Sequence, residues 1–319
     1  MLKKTQPYAT LLILLLLLAG CQSYVRRIVV SSIERIGEPV PPAPHMITTP
    51  ELPDAELAVS WVGHATVLVQ IDDKLFMTDP LLTDHVGMIA KRIVKPGIDP
   101  PVLKHLDFIL ISHLHFDHFS YGSLDELPKD GALLLPQGGL AYTPEMGFRE
   151  LKELKPWETF QEDGVRITAV PVQHFSGRYG FDSRWMGKEG YTGYVIQYQG
   201  RTVFFAGDTG YNEELFREIG RRFSIDLALL PIYPGRGMGF GVHVGPLGAL
   251  AILRDVAAHW MLPIHYRTVL YGSDADPMAP LKQLETAAAQ QGLTDRLVVL
   301  DIGEQRELVA RARPLAGPE

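Results

Sequence analysis

The chain has 319 residues, 46% of them hydrophobic, and a formal net charge of -7 at pH 7. Nucleic-acid binding depends on basic surface, so an acidic chain of this kind is expected to have no nucleic-acid partner. Cys21 is the sole cysteine, which excludes an intrachain disulfide and any thiolate cluster that could hold a metal.

In chain order, Lys3 and Lys4 precede an almost pure leucine run from Leu11 to Ala19. A bilayer crossing needs about 20 residues, so this run is too short to span but suits a secretory signal. It ends in Leu18-Ala19-Gly20-Cys21, which resembles a bacterial lipobox. Residues 1–20 are therefore expected to be removed as a lipoprotein signal peptide, with Cys21 lipidated. That removal takes away two lysines and no acids, moving the charge from -7 to about -9. Gln22 follows the cysteine where an aspartate would favour inner-membrane retention. The expected location is thus the cell envelope, lipid-anchored at the outer membrane and facing the periplasm. Residues 21–54 read as a proline-rich tether, with Pro39, Pro41, Pro42, Pro44, Pro50 and Pro53 disfavouring helix and central strand.

From residue 55 to 319 the chain alternates strand-length apolar runs with polar or glycine-bearing loops, at a size near the upper limit for one domain. Ala58–Ile71 reads as two strands broken at Gly63-His64, and Lys74–Thr78 as a third that ends at Asp79-Pro80. Asp107–Ser112 is a buried strand that leads into a histidine-rich loop, and Val165–Val172 leads to His174. Tyr191–Tyr198 and Arg201–Ala206 form a hairpin that ends at Gly207-Asp208. Asp226–Ile232 runs into a glycine-rich loop, His259–Ile264 runs into His265, and Leu297–Ile302 closes the series. Helices are expected at Asn212–Phe223, Pro246–Ala258 (Pro246 suits a first helical position) and Met278–Gln291. Strands in both halves with helices between them predict two sheets covered by helices.

The run His113-Leu114-His115-Phe116-Asp117-His118 places four metal-binding side chains within six residues, directly after a buried strand. Imidazole nitrogen and carboxylate oxygen are zinc donors. A tight loop can aim its first and third residues at one metal and its fifth and sixth at a second, with further donors supplied from elsewhere. His113, His174, Asp208 and His265 each stand just beyond a strand, where a rigid scaffold can make them converge.

This order of residues, with Gly207-Asp208-Thr209-Gly210, resembles the metallo-β-lactamase superfamily. Trp61-Val62-Gly63-His64-Ala65-Thr66-Val67, Thr78-Asp79-Pro80, Ile111-Ser112-His113, Gln173-His174, Phe205–Tyr211 and Ile264-His265 are similar to its N-acyl-phosphatidylethanolamine-hydrolysing phospholipase D branch and bacterial relatives. The resemblance implies an α/β (α+β) four-layer αββα sandwich. It implies His113, His115 and His174 on one metal, Asp117, His118 and His265 on the other, and Asp208 between them. The metals are expected to be two zinc ions, though iron or manganese also suits such donors. The nucleophile is expected to be a hydroxide shared by the two metals. Asp79 is expected to support a ligand, and His64 to lie near the site. His243, beyond the loop Tyr233–Gly241, is placed by the resemblance close to the metals, where it or Asp117 could serve the leaving group. His45, His85, His105 and His259 lack motif context and read as structural or surface residues.

The expected activity is hydrolysis of a phospholipid-like phosphodiester, with the lipid anchor holding the site beside a membrane. A lactonase or amidase is the alternative, because the same donors serve attack on a carbonyl; a cation cluster at Arg236 and His243 would favour phosphate. A non-catalytic envelope metal-binding protein is a third reading. Two segments depart from the branch pattern and are expected near the substrate entrance: Trp185–Gly190 and Tyr266-Arg267-Thr268.

Overall fold

A computed structural model of the chain describes residues 37–87, 90–179, 182, 189–239, 241–269 and 276–311. The signal segment, Cys21 and residues 185–188 lie outside the described residues. The strands, in chain order, are β1 (Ala55–Gly63), β2 (Thr66–Ile71), β3 (Lys74–Thr78), β4 (His85–Val86), β5 (Ala90–Lys91), β6 (Phe108–Leu110), β7 (Ala132–Pro136) and β8 (Glu150–Leu154). They continue with β9 (Thr159–Glu162), β10 (Val165–Val170), β11 (Gly193–Tyr198), β12 (Arg201–Phe205), β13 (Leu227–Pro231), β14 (Trp260–Ile264) and β15 (Gln305–Ala310). The helices are α1 (Tyr121–Glu126), α2 (Glu213–Arg222), α3 (Pro246–Asp255) and α4 (Ala279–Gln290).

Two sheets carry the architecture, in the orders β15-β1-β2-β3-β6-β7-β8 and β14-β13-β12-β11-β10-β9. Each joins an antiparallel half to a parallel half: β3, β6, β7 and β8 run parallel, as do β12, β13 and β14. Parallel neighbours need a crossover, which α2 and α3 provide in the second sheet. Side-chain alternation in the first sheet sorts the core. Val67, Val69, Phe76, Phe108, Leu110 and Leu134 join the cluster shared with the second sheet, while Leu68, Leu75, Met77, Ile109, Leu133 and Leu135 join a cluster with Leu106, Phe119, Leu124 and Leu127. Strands buried on both faces read as continuous apolar runs. The layers match the αββα expectation, with α2, α3 and α4 on the second sheet and α1 with its flanking turns on the first.

The three predicted helices appear within three residues of their expected ends. Leu297–Ile302 does not form a strand: it meets β14 through one bridge, Met261 with Leu297. The closing strand is β15, which is half-exposed and polar and pairs with β1. The proline-rich stretch from Gly37 holds no helix or named strand but is not a free tether. Val40 and Ile47 are buried, His45 N–H donates to the Ile302 carbonyl at 3.1 Å, and Ile47 N–H donates to that of Gly97 at 2.8 Å. The folded body therefore begins before the expected boundary at residue 55. Among the described residues no helix is long and apolar enough to cross a membrane.

Candidate metal centre

Strand direction brings the predicted residues to one edge. β1 is antiparallel to β2 and β2 to β3, so β1, β3 and β6 all run the same way. They deliver His64, Asp79 and His113 at their C-terminal ends. In the second sheet β10, β12 and β14 likewise share one direction and deliver His174, Asp208 and His265. Crevices beyond the carboxyl ends of such strands are the usual sites of α/β sheets.

Two groups of donors form. In the first, one ligand atom each from His113, His115 and His174 lies within 4.8 Å of the others, with His115 Nδ1 and His174 Nε2 at 3.4 Å. In the second, His265 Nε2 stands 3.1 Å from His118 Nε2 and 3.2 Å from Asp208 Oδ2. Asp117 Oδ2 is 3.5 Å from His118 Nε2 and 3.6 Å from His265 Nε2. Donors at ~2.0–2.1 Å around one tetrahedral zinc stand roughly 3.3–3.4 Å apart, so both spacings fit a divalent ion. Asp208 also groups with His174 and His243, which places it between the two pockets. Among the described residues His113 Nε2 and Asp208 Oδ1 are buried with no hydrogen-bond partner, an arrangement that costs about 1–3 kcal/mol per group unless a ligand satisfies it. The residues present fit two metal ions.

The hydrogen bonds behind the donors fix their tautomers. His118 Nδ1–H donates to Asp79 Oδ2 at 2.6 Å, which leaves Nε2 facing the second pocket. Asp79 Oδ1 accepts from the Ser112 amide at 2.6 Å, and Oδ2 also accepts from the Ser112 hydroxyl. That hydroxyl in turn accepts from His113 Nδ1 at 2.9 Å, so one buried carboxylate organises a donor in each pocket. His174 Nδ1–H donates to the Val242 carbonyl at 2.9 Å. Burial pushes His113 and His174 well below the usual histidine value and His115 down to about 4, keeping them neutral donors. Burial also lowers His265, but Asp208 and Asp117 outweigh it and raise it to about 9; His118 is likewise raised by Asp117, Asp208 and Asp79.

The glycines of Gly207-Asp208-Thr209-Gly210 have steric reasons. Gly207 has φ 58°, and a Cβ there would meet Ser112 Cβ at 2.4 Å; a Cβ on Gly210 would meet the Gly241 carbonyl oxygen at 1.9 Å. Thr209 ties the turn to both flanking histidine loops: its hydroxyl accepts from Gln173 N–H at 3.0 Å, and its carbonyl accepts from Val244 N–H at 2.7 Å.

His64 is fully buried and donates from Nε2 to Asp117 Oδ2 at 3.2 Å. Burial, reinforced by His265, lowers it to about 3. His64, Asp79 and His265 all hold positive φ (58°, 31° and 64°); strain of this kind persists where the surroundings over-determine it and clusters at functional sites. The His64 amide donates to Thr268 Oγ1 at 2.8 Å, and its carbonyl accepts from Trp61 Nε1 and from the His265 amide, each at 3.0 Å. Tyr266 is buried and stacks on Trp61 with centroids 4.7 Å apart. Tyr266 and Thr268 therefore support His64 from beneath, rather than standing at a substrate entrance. Ser112 and Thr268 are site residues that motif reading missed, because only packing reveals a short hydroxyl as a hydrogen-bond relay.

His243 Nδ1 lies 3.4 Å from Asp208 Oδ2 with its side chain 13% exposed, so it stands at the rim of the centre. Arg236, in the preceding loop, is exposed. Burial raises the Asp117 carboxyl, but His118, His265 and His64 hold it well below the usual range. Asp117 is thus a poor proton donor. His45, His85, His105 and His259 join none of the donor groups among the described residues.

Residues 75–266 match a family model described as the beta-lactamase superfamily domain. The chain belongs to the metallo-β-lactamase superfamily. Its relatives include an N-acyl-phosphatidylethanolamine-hydrolyzing phospholipase D of Saccharomyces cerevisiae, 30% identical over 259 residues, covering 77% of this chain but 54% of that one. A Caenorhabditis elegans protein of the same description is 29% identical over 282 residues, covering 82% of this chain and 78% of that one. A metal-dependent hydrolase of Methanopyrus kandleri is 28% identical over 253 residues, covering 79% and 100%. The chain thus spans about half the length of the yeast relative. Among solved structures, an isothiocyanate hydrolase from Delia radicum gut bacteria shares the fold, with a TM-score of 0.64 at 19% identity, covering 79% of this chain and 100% of that one. This metallo-β-lactamase superfamily member is a metal-dependent hydrolase with a candidate His/Asp metal centre.

Proposed function

We propose that the protein is a zinc-dependent phosphodiesterase acting on a phospholipid-like substrate. One observation carries the reading: two donor pockets share Asp208, and a histidine stands at their rim, in a chain similar to proteins described as phospholipases D. When bound, two divalent cations supply Lewis-acid polarisation of the oxygen under attack and an acidified water. The chain's own residues do the rest. Asp79 and the Val242 carbonyl hold His118 and His174 with Nε2 facing inward. His64 orients Asp117 through its Nε2–H. Burial holds His243 below the usual histidine value and so neutral. From the rim it relays to the departing alkoxide a proton taken up from the attacking water. Asp117, held well below the usual carboxylate range, is too weak a base for that role. The leucine run and Cys21 support a lipid-anchored envelope location, which would keep the site beside its membrane substrate.

The test is turnover of N-acyl-phosphatidylethanolamine, a γ-lactone and a β-lactam by one zinc-loaded preparation. Release of phosphatidic acid, with the carbonyl substrates slow, supports the proposal. Rapid lactone or β-lactam cleavage with inert phosphodiesters replaces it by a carbonyl-directed hydrolase. His243→Ala should lower kcat at least ~100-fold without loss of zinc; an unchanged kcat removes the proton-carrying role.

A further inference from the structure

The loop that supplies His115, Asp117 and His118 has no ladder to hold it between β6 and α1. Within it, the His118 and Phe119 amides donate to the His115 carbonyl, at 3.1 and 2.8 Å. Its flanking carbonyls, on buried Leu114 and Phe119, are satisfied by one side chain from a different segment. Arg178 Nη1 donates to the Leu114 oxygen at 3.2 Å and to the Phe119 oxygen at 2.7 Å. Arg178 is 5% exposed, and its guanidinium carbon lies 4.6, 5.0 and 4.0 Å from the ring centroids of Phe116, Phe119 and Tyr121. A buried cation is costly unless paired or bonded. Here three aromatic faces and two carbonyls take that part. The segment bearing Arg178 is fixed in turn by Asp182, whose carboxylate accepts from the amides of Arg178 and Tyr179 at 2.8 and 2.9 Å. It is also the segment that carries His174. Arg178 thus joins the loop shared by both pockets to a ligand of the first.

We propose that Arg178 is a positioning residue for the metal centre: its guanidinium bridges the Leu114 and Phe119 carbonyls and so sets the spacing of His115, Asp117 and His118. A planar guanidinium can lay its face against the rings while Nη1 spends its two hydrogens on the two carbonyls; an ammonium has the donors but no flat face to stack. The inference rests on the metal-centre reading and not on the substrate.

Arg178→Met and Arg178→Lys in the full chain test it with two readouts. One is zinc retained against graded chelator; the other is hydrogen exchange at His118 and Phe119 in the metal-free protein. Arg178→Met should keep its circular dichroism, release zinc at about ten-fold lower chelator concentration, and exchange faster at those two amides than elsewhere. Arg178→Lys should fold and fall short of wild type in both readouts, and it decides the matter if the methionine variant does not fold. Wild-type zinc retention in either folded variant overturns the proposal, as does accelerated exchange spread evenly over the chain. Neither readout involves a substrate, so failure of the phosphodiesterase reading and failure of this one are separable.

Discussion

Replacing Asp79 by asparagine tests how one buried carboxylate sets the chemistry of both pockets. Asp79 accepts the Ser112 amide on Oδ1, and the Ser112 hydroxyl and His118 Nδ1–H on Oδ2. Asparagine keeps the shape but must turn an NH2 toward one side. If the NH2 takes the Oδ1 place, it abuts the Ser112 amide, and two buried donors face each other. If it takes the Oδ2 place, the hydroxyl can rotate, but His118 must move its proton to Nε2, into the second pocket. The first arrangement loses a buried bond, at about 1–3 kcal/mol; the second keeps it but protonates the nitrogen that would face the metal. Loss of such an outer partner typically costs 10–100-fold in metal affinity, which is about 1.4–2.7 kcal/mol. Chelator competition at pH 7.5 should show one zinc per chain loosened by that factor. Zinc held as tightly as in the wild type, within about twofold, would refute Asp79 as the organiser of the centre.

Gly207→Ala forces a Cβ to within 2.4 Å of Ser112 Cβ at a φ of 58°. It should destabilise the fold by about 1–3 kcal/mol, read by urea denaturation; an unchanged midpoint would show that the turn relaxes freely. In the metal-free protein Asp208 and Asp117 outweigh burial and raise His265 from the usual 6.5 to about 9, so zinc must displace its proton. Apparent zinc affinity should therefore climb between pH 6 and 9, and a flat profile contradicts that assignment. The same shift means that His265 stabilises the metal-free fold fully below about pH 6.5, and that this contribution fades as pH rises through about 9.

The site was legible where residue type and strand position coincide. Histidines are few, so three in a six-residue loop after a buried strand, followed by single donors after later strands, stood out against the background. The strands that position them are buried on both faces and read as plain apolar runs. The edges were not legible. β8, β9 and β15 are partly exposed and polar, so they carry no hydrophobic signal, and Leu297–Ile302, although apolar, packs without joining a ladder. Supporting residues were hidden for a different reason. Ser112, Thr268 and Arg178 act through contacts between segments far apart in the chain, which no local pattern encodes. Tyr266 and Thr268 stand where the family pattern differs, and proximity to His265 in sequence suggested an entrance; folding turns them inward against Trp61 and His64.

The central claim is that His113, His115, His174, Asp117, His118, His265 and Asp208 hold two metal ions that the hydrolytic reaction requires. Stepwise zinc titration of the metal-free protein, with bound metal and phosphodiester cleavage followed in the same samples, tests it most directly. The account predicts saturation at two ions per chain, activity that appears with them, and loss of both in His118→Ala. Cleavage by the metal-free protein, or saturation at two ions in the Asp208→Ala variant with full activity, would contradict it.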